Sequence, residues 1–245
     1  MHALITGGAG FIGSHTTRLL LAQGHQVTVL DNLSNGHREN LPEHPDLRLV
    51  IGDIADPEAV DKALDGADRV LHLAAQVSVT TSVEEPRRSC HDNLLGYVTV
   101  LDGARRAGIH RFVYASSAAV YGQPSELPLR ETSAPAPASP YGLEKLVNDR
   151  YATLYRELHG LSTLGMRYFN VYGPGQDPAS PYSGVISFFV DRMSKGEPLT
   201  VHGDGLQTRD FVYVGDVAAA NAAALGNTAE GVLNIGTGSS ITLSL

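Results

Sequence analysis

Short apolar runs recur along the chain and are separated by longer stretches whose apolar residues are spaced as on one face of a helix. Continuous apolar runs of strand length are typical of strands buried on both faces of a parallel sheet. The predicted strands are Ala3–Thr6, Val27–Leu30, Leu47–Ile51, Val70–Leu73, Phe112–Ala115 and Thr163–Phe169. The predicted helices are Phe11–Gln23, Pro57–Leu64, Pro86–Ala107 and Pro140–Leu158. This alternation predicts an α/β fold with a doubly wound parallel sheet.

The later part of the chain is less regular. Two irregular segments, Gln123–Pro140 and Gly173–Ser183, interrupt the alternation. Strand-like runs return at Leu199–Val201, Phe211–Val214 and Val232–Ile235, with a helical stretch at Asp216–Leu225. A chain of 245 residues can therefore hold one large sheet-containing domain and a small second lobe.

Composition and charge exclude several classes of protein. Hydrophobic residues make up 42% of the chain and charged residues 18%, which favours a packed core over disorder. The net charge of -8 gives no electrostatic reason to bind nucleic acid or an anionic membrane. The ten histidines and the single cysteine, Cys90, lack the spacing of metal ligands, so no metal is expected. Without a signal peptide or a membrane-spanning run, we expect a cytoplasmic protein.

A glycine-rich motif follows the first predicted strand. Gly7, Gly10 and Gly13 have the spacing of a dinucleotide-binding turn, in which a helix N-terminus faces a diphosphate. Asp31, at the end of the second predicted strand, lies near the offset of about 20 residues expected for a ribose-binding carboxylate. That carboxylate would repel a 2′-phosphate, which favours NAD, although Arg38 nearby keeps NADP as an alternative.

Tyr141 and Lys145 are four residues apart on a predicted helix, so their side chains share one face. Lowering the pKa of a phenol from ~10 to ~7 takes ~4 kcal/mol, which an adjacent ammonium and a positive nicotinamide ring could supply. An isolated pair of this kind is usually a surface pair. Here it follows a dinucleotide motif and two serines, Ser116 and Ser117, at the end of the fifth predicted strand, where open α/β sheets bind ligands.

Several motifs together indicate a family. They are TGGAGFIGSH from Thr6, Asp31-Asn32, HLAA from His72, SSAAVYG from Ser116, SPYGLEK from Ser139 and RYFNVYGP from Arg167. In this order and spacing they resemble the extended short-chain dehydrogenase/reductase family. Within it, the likeness is to 4-epimerases of UDP-glucose and UDP-N-acetylhexosamine type.

The resemblance implies a role for each matching residue. Ser117 would hydrogen-bond the reacting oxygen, Tyr141 would act as the base, and Lys145 would lower the pKa of the tyrosine and hold the nicotinamide ribose. The residues expected to contact NAD are Gly7, Gly10, Phe11, Ile12, Gly13, Asp31, Asn32, Ser34, Asn35, Gly36, Asp53, Ile54, Leu73, Ala74, Ala75, Asn93, Tyr141 and Lys145. Those expected to contact a nucleotide-diphosphate sugar are Ser78, Ser117, Asn170, Val185, Ile186, Thr200, Val201, His202 and Arg209.

The implied reaction is inversion of the sugar at C4 through transient oxidation to a 4-ketose. Related 4,6-dehydratases carry an acidic pair just after the active-site serine or threonine, and Ala118 and Ala119 occupy those places here. The alternatives are another nucleotide-sugar oxidoreductase or decarboxylase of the family, and a non-catalytic NAD-binding sensor or scaffold. Arg209 is expected to clamp the substrate diphosphate, and its alternative role is a salt bridge to Asp210.

The family resemblance also implies the domain organisation and the oligomeric state. Residues 1–170 are expected to form the NAD-binding Rossmann domain, to which 211–236 return, and 171–210 with 237–245 would form parts of a substrate lobe. Members of the family continue beyond the last segment, so this lobe is expected to be incomplete. A homodimer is expected through the two long predicted helices, by way of Leu94, Val98, Leu101, Leu154 and Leu158.

Overall fold

The computed structural model describes residues 1–124, 126–177, 184–199 and 205–242. Its strands are β1 (His2–Thr6), β2 (Gln26–Asp31), β3 (Leu47–Ile51), β4 (Arg69–His72), β5 (Arg111–Ser117), β6 (Ser162–Tyr168), β7 (Asn170–Tyr172), β8 (Thr208–Arg209), β9 (Phe211–Tyr213), β10 (Gly231–Ile235) and β11 (Ile241–Thr242). Its α-helices are α1 (Phe11–Ala22), α2 (Pro57–Leu64), α3 (Val79–Glu84), α4 (Pro86–Cys90), α5 (Gly96–Arg106), α6 (Pro140–His159), α7 (Val185–Ser194) and α8 (Val214–Gly226). Two 3-10 turns, Arg38–Asn40 and Ala118–Tyr121, follow β2 and β5, and a π-helical turn, His91–Leu95, joins α4 to α5.

The main sheet has seven parallel strands in the order β10-β6-β5-β4-β1-β2-β3. Thr6 at the end of β1 pairs with Leu30 of β2 on one side and with His72 of β4 on the other. From β1 the chain adds β2 and β3 on one side, and it then crosses over to add β4, β5 and β6 on the other side. The point between β1 and β4 is a switch point, and doubly wound folds bind ligands at such points. The predicted doubly wound α/β fold is confirmed.

Both faces of the sheet are covered by helices, which explains the continuous apolar runs. Leu4 packs into the core under α2, α5 and α6, whereas Ile5, the next residue of β1, packs into the core under α1 and α8. Successive strand residues point to opposite faces, so a strand covered on both sides needs apolar residues at every position. Among the described residues, no helix is long and apolar enough to cross a membrane.

The structure corrects the single long helix predicted at Pro86–Ala107. The π-helical turn interrupts it and directs the side chain of Asn93 into the protein, where it is buried. Leu101 was expected on a dimer surface, but it is completely buried in the core. That expectation for Leu101 was wrong, because this face of α5 packs against α2 and the sheet.

The later strands divide between sheets. β10 joins the main sheet beside β6, whereas β9 pairs in parallel with β7 in a separate two-stranded sheet. β8 and β11 form a small antiparallel pair. The predicted strand Leu199–Val201 lies mostly outside the described residues.

Arg111, the first residue of β5, fastens α8 to the sheet. Its Nε donates to the carbonyl oxygen of Ala224 at 3.0 Å, and its terminal nitrogens donate to the Ala229 carbonyl and to the Asn227 side chain. The last carbonyls of a helix have no partner within the helix, so a buried helix end needs such donors. Arg111 is only 3% exposed.

We expect Arg111→Met to destabilise the protein by about 2–3 kcal/mol, because it leaves the buried carbonyl oxygen of Ala224 without a donor and removes the hydrogen bonds to Ala229 and Asn227. Urea denaturation followed by circular dichroism measures this change. Arg18→Met, at an exposed position of α1, is the control and should leave the midpoint unchanged. Equal midpoints for Arg111→Met and wild type would contradict this role.

Candidate active site

A cleft of about 890 Å³ runs along the carboxyl ends of the central strands. Ligand sites of small molecules commonly have volumes of 300–1,000 Å³. The predicted residues that line it are Gly7, Gly10, Phe11, Ile12, Gly13, Asp31, Asn32, Ser34, Asn35, Gly36, Asp53, Ile54, Leu73, Ala74, Ala75, Ser117, Tyr141, Lys145 and Asn170. The fold thus brings the predicted catalytic residues and, apart from Asn93, the predicted cofactor residues together.

The glycine turn places the start of α1 against β1. Gly7 has a φ of +69°, which favours glycine, and a Cβ at Gly13 would collide with the Gly7 carbonyl oxygen. The helix has no side chain that caps its N-terminus and no acidic residue in its first turn. Its free N–H groups therefore face the cleft, as a diphosphate requires.

Asp31 joins the glycine turn to the loop after β2. One carboxylate oxygen accepts from the backbone N–H of Ala9 and the other from that of Leu33, each at 2.9 Å. Asn32 donates to Asp53 at 3.2 Å, which links the ends of β2 and β3. This end of the cleft is acidic, which suits the hydroxyl groups of an adenosine ribose and disfavours a 2′-phosphate.

The structure adds residues that the sequence analysis missed. His37, Asn40 and Gln76 line the same cleft. The Asn40 side chain donates to the Ala9 carbonyl at 2.8 Å, and the His37 backbone N–H donates to it at 3.1 Å. No local pattern marks these residues, because their contacts depend on how the loop after β2 folds back on the glycine turn.

Ser117 and Tyr141 face each other at the other end of the cleft. Ser117 ends β5, and its hydroxyl accepts from the backbone N–H of Ala119 at 3.1 Å. The Tyr141 hydroxyl hydrogen-bonds with Ser117. Burial raises the pKa of Tyr141 above its ordinary value, while the bond with Ser117 lowers it and the charge of Glu144 raises it. The expected lowering of this pKa by Lys145 together with a positive nicotinamide ring stays a prediction.

Lys145 lies beneath Tyr141 and is buried. Its ammonium nitrogen lies 5.8 Å from the centre of the Tyr141 ring and donates to the Ala115 carbonyl at 3.0 Å. Burial lowers the pKa of Lys145 to about 8, although the charges of Asp149 and Glu144 raise it. Burial and the charge of Lys145 lower the pKa of His72 to about 3, so this histidine is neutral.

Two predicted contact residues, Ser78 and Asn93, are not among those that line the cleft, and their side chains make hydrogen bonds within the protein. Ser78 caps α3 by accepting from the Thr81 backbone N–H at 2.9 Å, and it does not line the cleft. Asn93 accepts from the Gln76 N–H and donates to the Gln76 carbonyl, each at 2.9 Å. Asn93 therefore braces the backbone that follows the Leu73–Ala75 wall of the cleft, from behind that wall.

A second pocket of about 220 Å³ adjoins the cleft at Asn170 and Gly184. It brings together the predicted substrate residues Asn170, Val185, Ile186 and Arg209. The first turn of α7, which no side chain caps, begins in this pocket. Thr200, Val201 and His202 lie outside the described residues.

Arg209 is exposed and available to a ligand. Its guanidinium donates to the Thr208 carbonyl at 2.8 Å, and no ion pair in the described part of the chain joins it to Asp210. The Asp210 carboxylate instead accepts from the backbone N–H groups of Thr237 and Gly238. The alternative salt bridge is therefore absent from this structure.

The cleft fits a dinucleotide. The glycine turn leaves room for phosphates, and Asp31 lies where one ribose would bind. Lys145 and Tyr141 lie at the other end of the cleft, where a nicotinamide would bind. The described histidine, cysteine, aspartate and glutamate side chains form no group of three or more that could hold a metal ion. The site that this fold and these residues define is that of a dinucleotide-dependent enzyme.

Comparison with known proteins identifies the family. Residues 3–236 match the NAD dependent epimerase/dehydratase family, and the chain belongs to it. The predicted family and the predicted cofactor, NAD, are confirmed.

Relatives and solved structures named UDP-glucose 4-epimerase match nearly all of this chain. The UDP-glucose 4-epimerase of Mycolicibacterium smegmatis is 40% identical over 244 residues, which are 97% of this chain and 78% of that protein. The Thermotoga maritima UDP-glucose 4-epimerase structure with UDP-glucose matches with a TM-score of 0.95 and 40% identity, over 99% of this chain and 79% of that one. The Thermus thermophilus UDP-glucose 4-epimerase complex with NAD matches with a TM-score of 0.92 and 43% identity, over 99% and 80%.

Proposed function

We propose that this chain is an NAD-dependent 4-epimerase of a UDP-hexose. The observation that carries the proposal is the meeting of Ser117, Tyr141 and Lys145 at one end of a dinucleotide cleft, beside a second pocket that holds Arg209. Bound NAD would accept a hydride from C4 of the sugar and return it, and it would place a positive charge beside Tyr141. The similarity to UDP-glucose 4-epimerases supports this choice of reaction.

The protein residues position the sugar and move its proton. Tyr141 would take the proton of the 4-hydroxyl and later return it, and Ser117 would hydrogen-bond the same oxygen. Because burial raises the pKa of Tyr141, forming the Tyr141 phenolate requires a nearby positive charge. Lys145 lies close enough to contribute that charge. The remaining N–H groups of Lys145 are free to hold the nicotinamide ribose.

The second pocket would hold the nucleotide diphosphate. An arginine presents a planar fork that matches phosphate oxygens, and the uncapped start of α7 adds backbone donors. Holding the substrate mainly by its diphosphate leaves the sugar free to turn its other face to the cofactor. We propose that residues 1–170 with 211–236 form the NAD-binding domain and that the remainder contributes this substrate side.

The residues after Ser117 favour epimerisation over 4,6-dehydration. Eliminating water needs an additional acid and base near the sugar. Ala118 and Ala119 both line the cleft beside Ser117, and they offer methyl groups there.

We also propose that the chain forms a homodimer through α6. Leu154 and Leu158 are 49% and 70% exposed, and Leu143 and Tyr151 extend this apolar stripe along the same helix. Leu95, the last residue of the π-helical turn before α5, is exposed as well. A second copy of the chain would cover these residues. The cytoplasmic location stays a prediction.

Tyr141→Phe removes the hydroxyl and keeps the ring, so we expect epimerisation to fall by at least ~100-fold while NAD stays bound. The assay incubates protein with UDP-glucose, UDP-galactose and their N-acetyl and uronic acid counterparts without added reductant, and then separates the sugar nucleotides. Tyr151→Phe on the same helix is the control. Near-full activity of Tyr141→Phe would remove it as the base, and no conversion of any sugar by wild type would contradict the proposed reaction.

Arg209→Ala should weaken UDP binding by ~1.5–3 kcal/mol, the range for hydrogen bonds to charged groups, and leave the NAD content unchanged. Calorimetric titration with UDP compares this variant with wild type. Arg150→Ala, which removes an exposed arginine elsewhere, should bind UDP as wild type does. Equal affinity of Arg209→Ala and wild type would place the diphosphate elsewhere.

The dimer is tested by light scattering at micromolar concentration. Wild type should have twice the chain mass of 26.0 kDa, and the double variant Leu154→Glu, Leu158→Glu should be monomeric, because charges cannot be buried unpaired in an interface. Ile51→Glu, an equally exposed apolar position on β3, should stay dimeric. A monomeric wild type would refute this interface.

A further inference from the structure

Four charged side chains are buried beneath the cleft. Glu144, Lys145 and Asp149 lie on α6, Arg167 lies on β6, and each is at most 5% exposed. Buried charges are expensive to remove from water, so each needs a group of opposite charge or several hydrogen bonds. Their partners show how the four charges balance.

Asp149 and Arg167 balance each other. The Nε and one terminal nitrogen of Arg167 both donate to the same Asp149 oxygen, at 3.1 and 2.9 Å. The other Asp149 oxygen accepts from the Tyr114 hydroxyl at 3.1 Å. The carboxylate is thus committed to the guanidinium on the neighbouring strand.

Glu144 and Lys145 have only uncharged hydrogen-bond partners. One Glu144 oxygen accepts from the hydroxyl of Ser89 and from the amide of Asn93, each at 2.7 Å. No described lysine or arginine lies within ion-pair distance of Glu144, and the ammonium of Lys145 donates to a carbonyl. The two charges that remain after Asp149 and Arg167 pair therefore have opposite sign and belong to adjacent residues.

We propose that Glu144 is a positioning residue whose buried negative charge, together with that of Asp149, keeps Lys145 in its ammonium form beside Tyr141. Without such a charge, burial would favour the neutral amine, which could not assist a phenolate. Glu144 also holds Asn93, which braces the backbone of Gln76 behind the cleft wall. Glu144 would thus contribute both to the charge at the proton-transfer end and to the position of the cofactor wall.

Among the groups around Lys145, the carboxylates of Glu144 and Asp149 are the ones that favour its ammonium form. The titratable and charged side chains that face it or its neighbours from the packed elements are His72 on β4, Tyr97 on α5, Tyr114 on β5, Tyr141 on α6 and Arg167 on β6. The histidine is neutral because its pKa is about 3, and burial keeps the pKa of each tyrosine above its ordinary value. Arg167 is positive and is paired with Asp149.

Glu144→Gln tests the proposal, because it keeps the size of the side chain and an oxygen that can accept from Ser89 and Asn93. The chain has three lysines, Lys62, Lys145 and Lys195, so each gives a separate signal when lysine is labelled with ¹³C at Cε and followed by NMR against pH. Lys145 should titrate near pH 8 in wild type. In Glu144→Gln the midpoint should fall by at least about one pH unit, which is the effect of one charge about 12 Å away at an effective dielectric constant of about 20, because a nearer charge has a larger effect. The signals of Lys62 and Lys195 should not move.

Glu157→Gln, an equal loss of charge at an exposed position of α6, is the matched control and should leave all three midpoints in place. A Lys145 midpoint that is the same in Glu144→Gln and wild type would overturn the proposal, even if the variant lost thermal stability, because stability alone reports the hydrogen bonds to Ser89 and Asn93. An equal shift in Glu157→Gln would overturn it too, by showing a general charge effect.

The kinetic arm alone rests on the proposed function. Glu144 also raises the pKa of Tyr141, so removing its charge should move both limbs of the pH profile of kcat/KM for UDP-hexose epimerisation to lower pH. If no UDP-hexose is converted, the proposed function fails, and the NMR titration still decides the role of Glu144. Unmoved limbs in an active enzyme would contradict the role.

Discussion

The carbonyl oxygen of Gly7 fills the space that a Cβ of Gly13 would need, so α1 can start this close to β1 only with glycine at position 13. That contact aims the N-terminus of α1 into the cleft and leaves both backbone polar groups of the buried Ala9 to be satisfied by other residues. Asp31 takes the N–H of Ala9 and Asn40 takes its carbonyl, so the loop after β2 is built upon the glycine turn. The whole adenosine end of the cleft therefore depends on one close approach of backbone to backbone.

The proton-transfer end is organised by buried charge. Lys145 hydrogen-bonds to β5, Asp149 is paired with Arg167 on β6, and Glu144 is bonded through Asn93 to the wall after β4. Helix α6 thus ties three elements of the protein to the residues that face the substrate. Charges held in such a place cost stability, and their retention is typical of sites that must control proton affinity.

The sequence predicted what depends on local pattern. Strands covered on both faces need continuous apolar runs, so β1 and its neighbours were visible, and the four-residue spacing of Tyr141 and Lys145 follows from helix geometry. The π-helical turn was not predicted, because it depends on bonds of Asn93 to Gln76 and Glu144, which are distant in sequence. Arg111 likewise binds the end of a helix more than a hundred residues away. Ser78 matched a family position, yet its hydroxyl caps α3.

The neutral His72 has a consequence for the tolerance of the fold to acid. It is buried against Tyr97 and Phe112, with Thr6 at 2.9 Å from its ring nitrogen, and its pKa is lowered from 6.5 to about 3. Between these values the unfolded chain binds a proton at this position that the folded chain does not. The free energy of unfolding therefore falls as the pH drops below 6.5, by up to roughly 1.4 kcal/mol per pH unit from this residue. The loss of stability in acid thus arises in the central sheet, at β4, which borders the switch point.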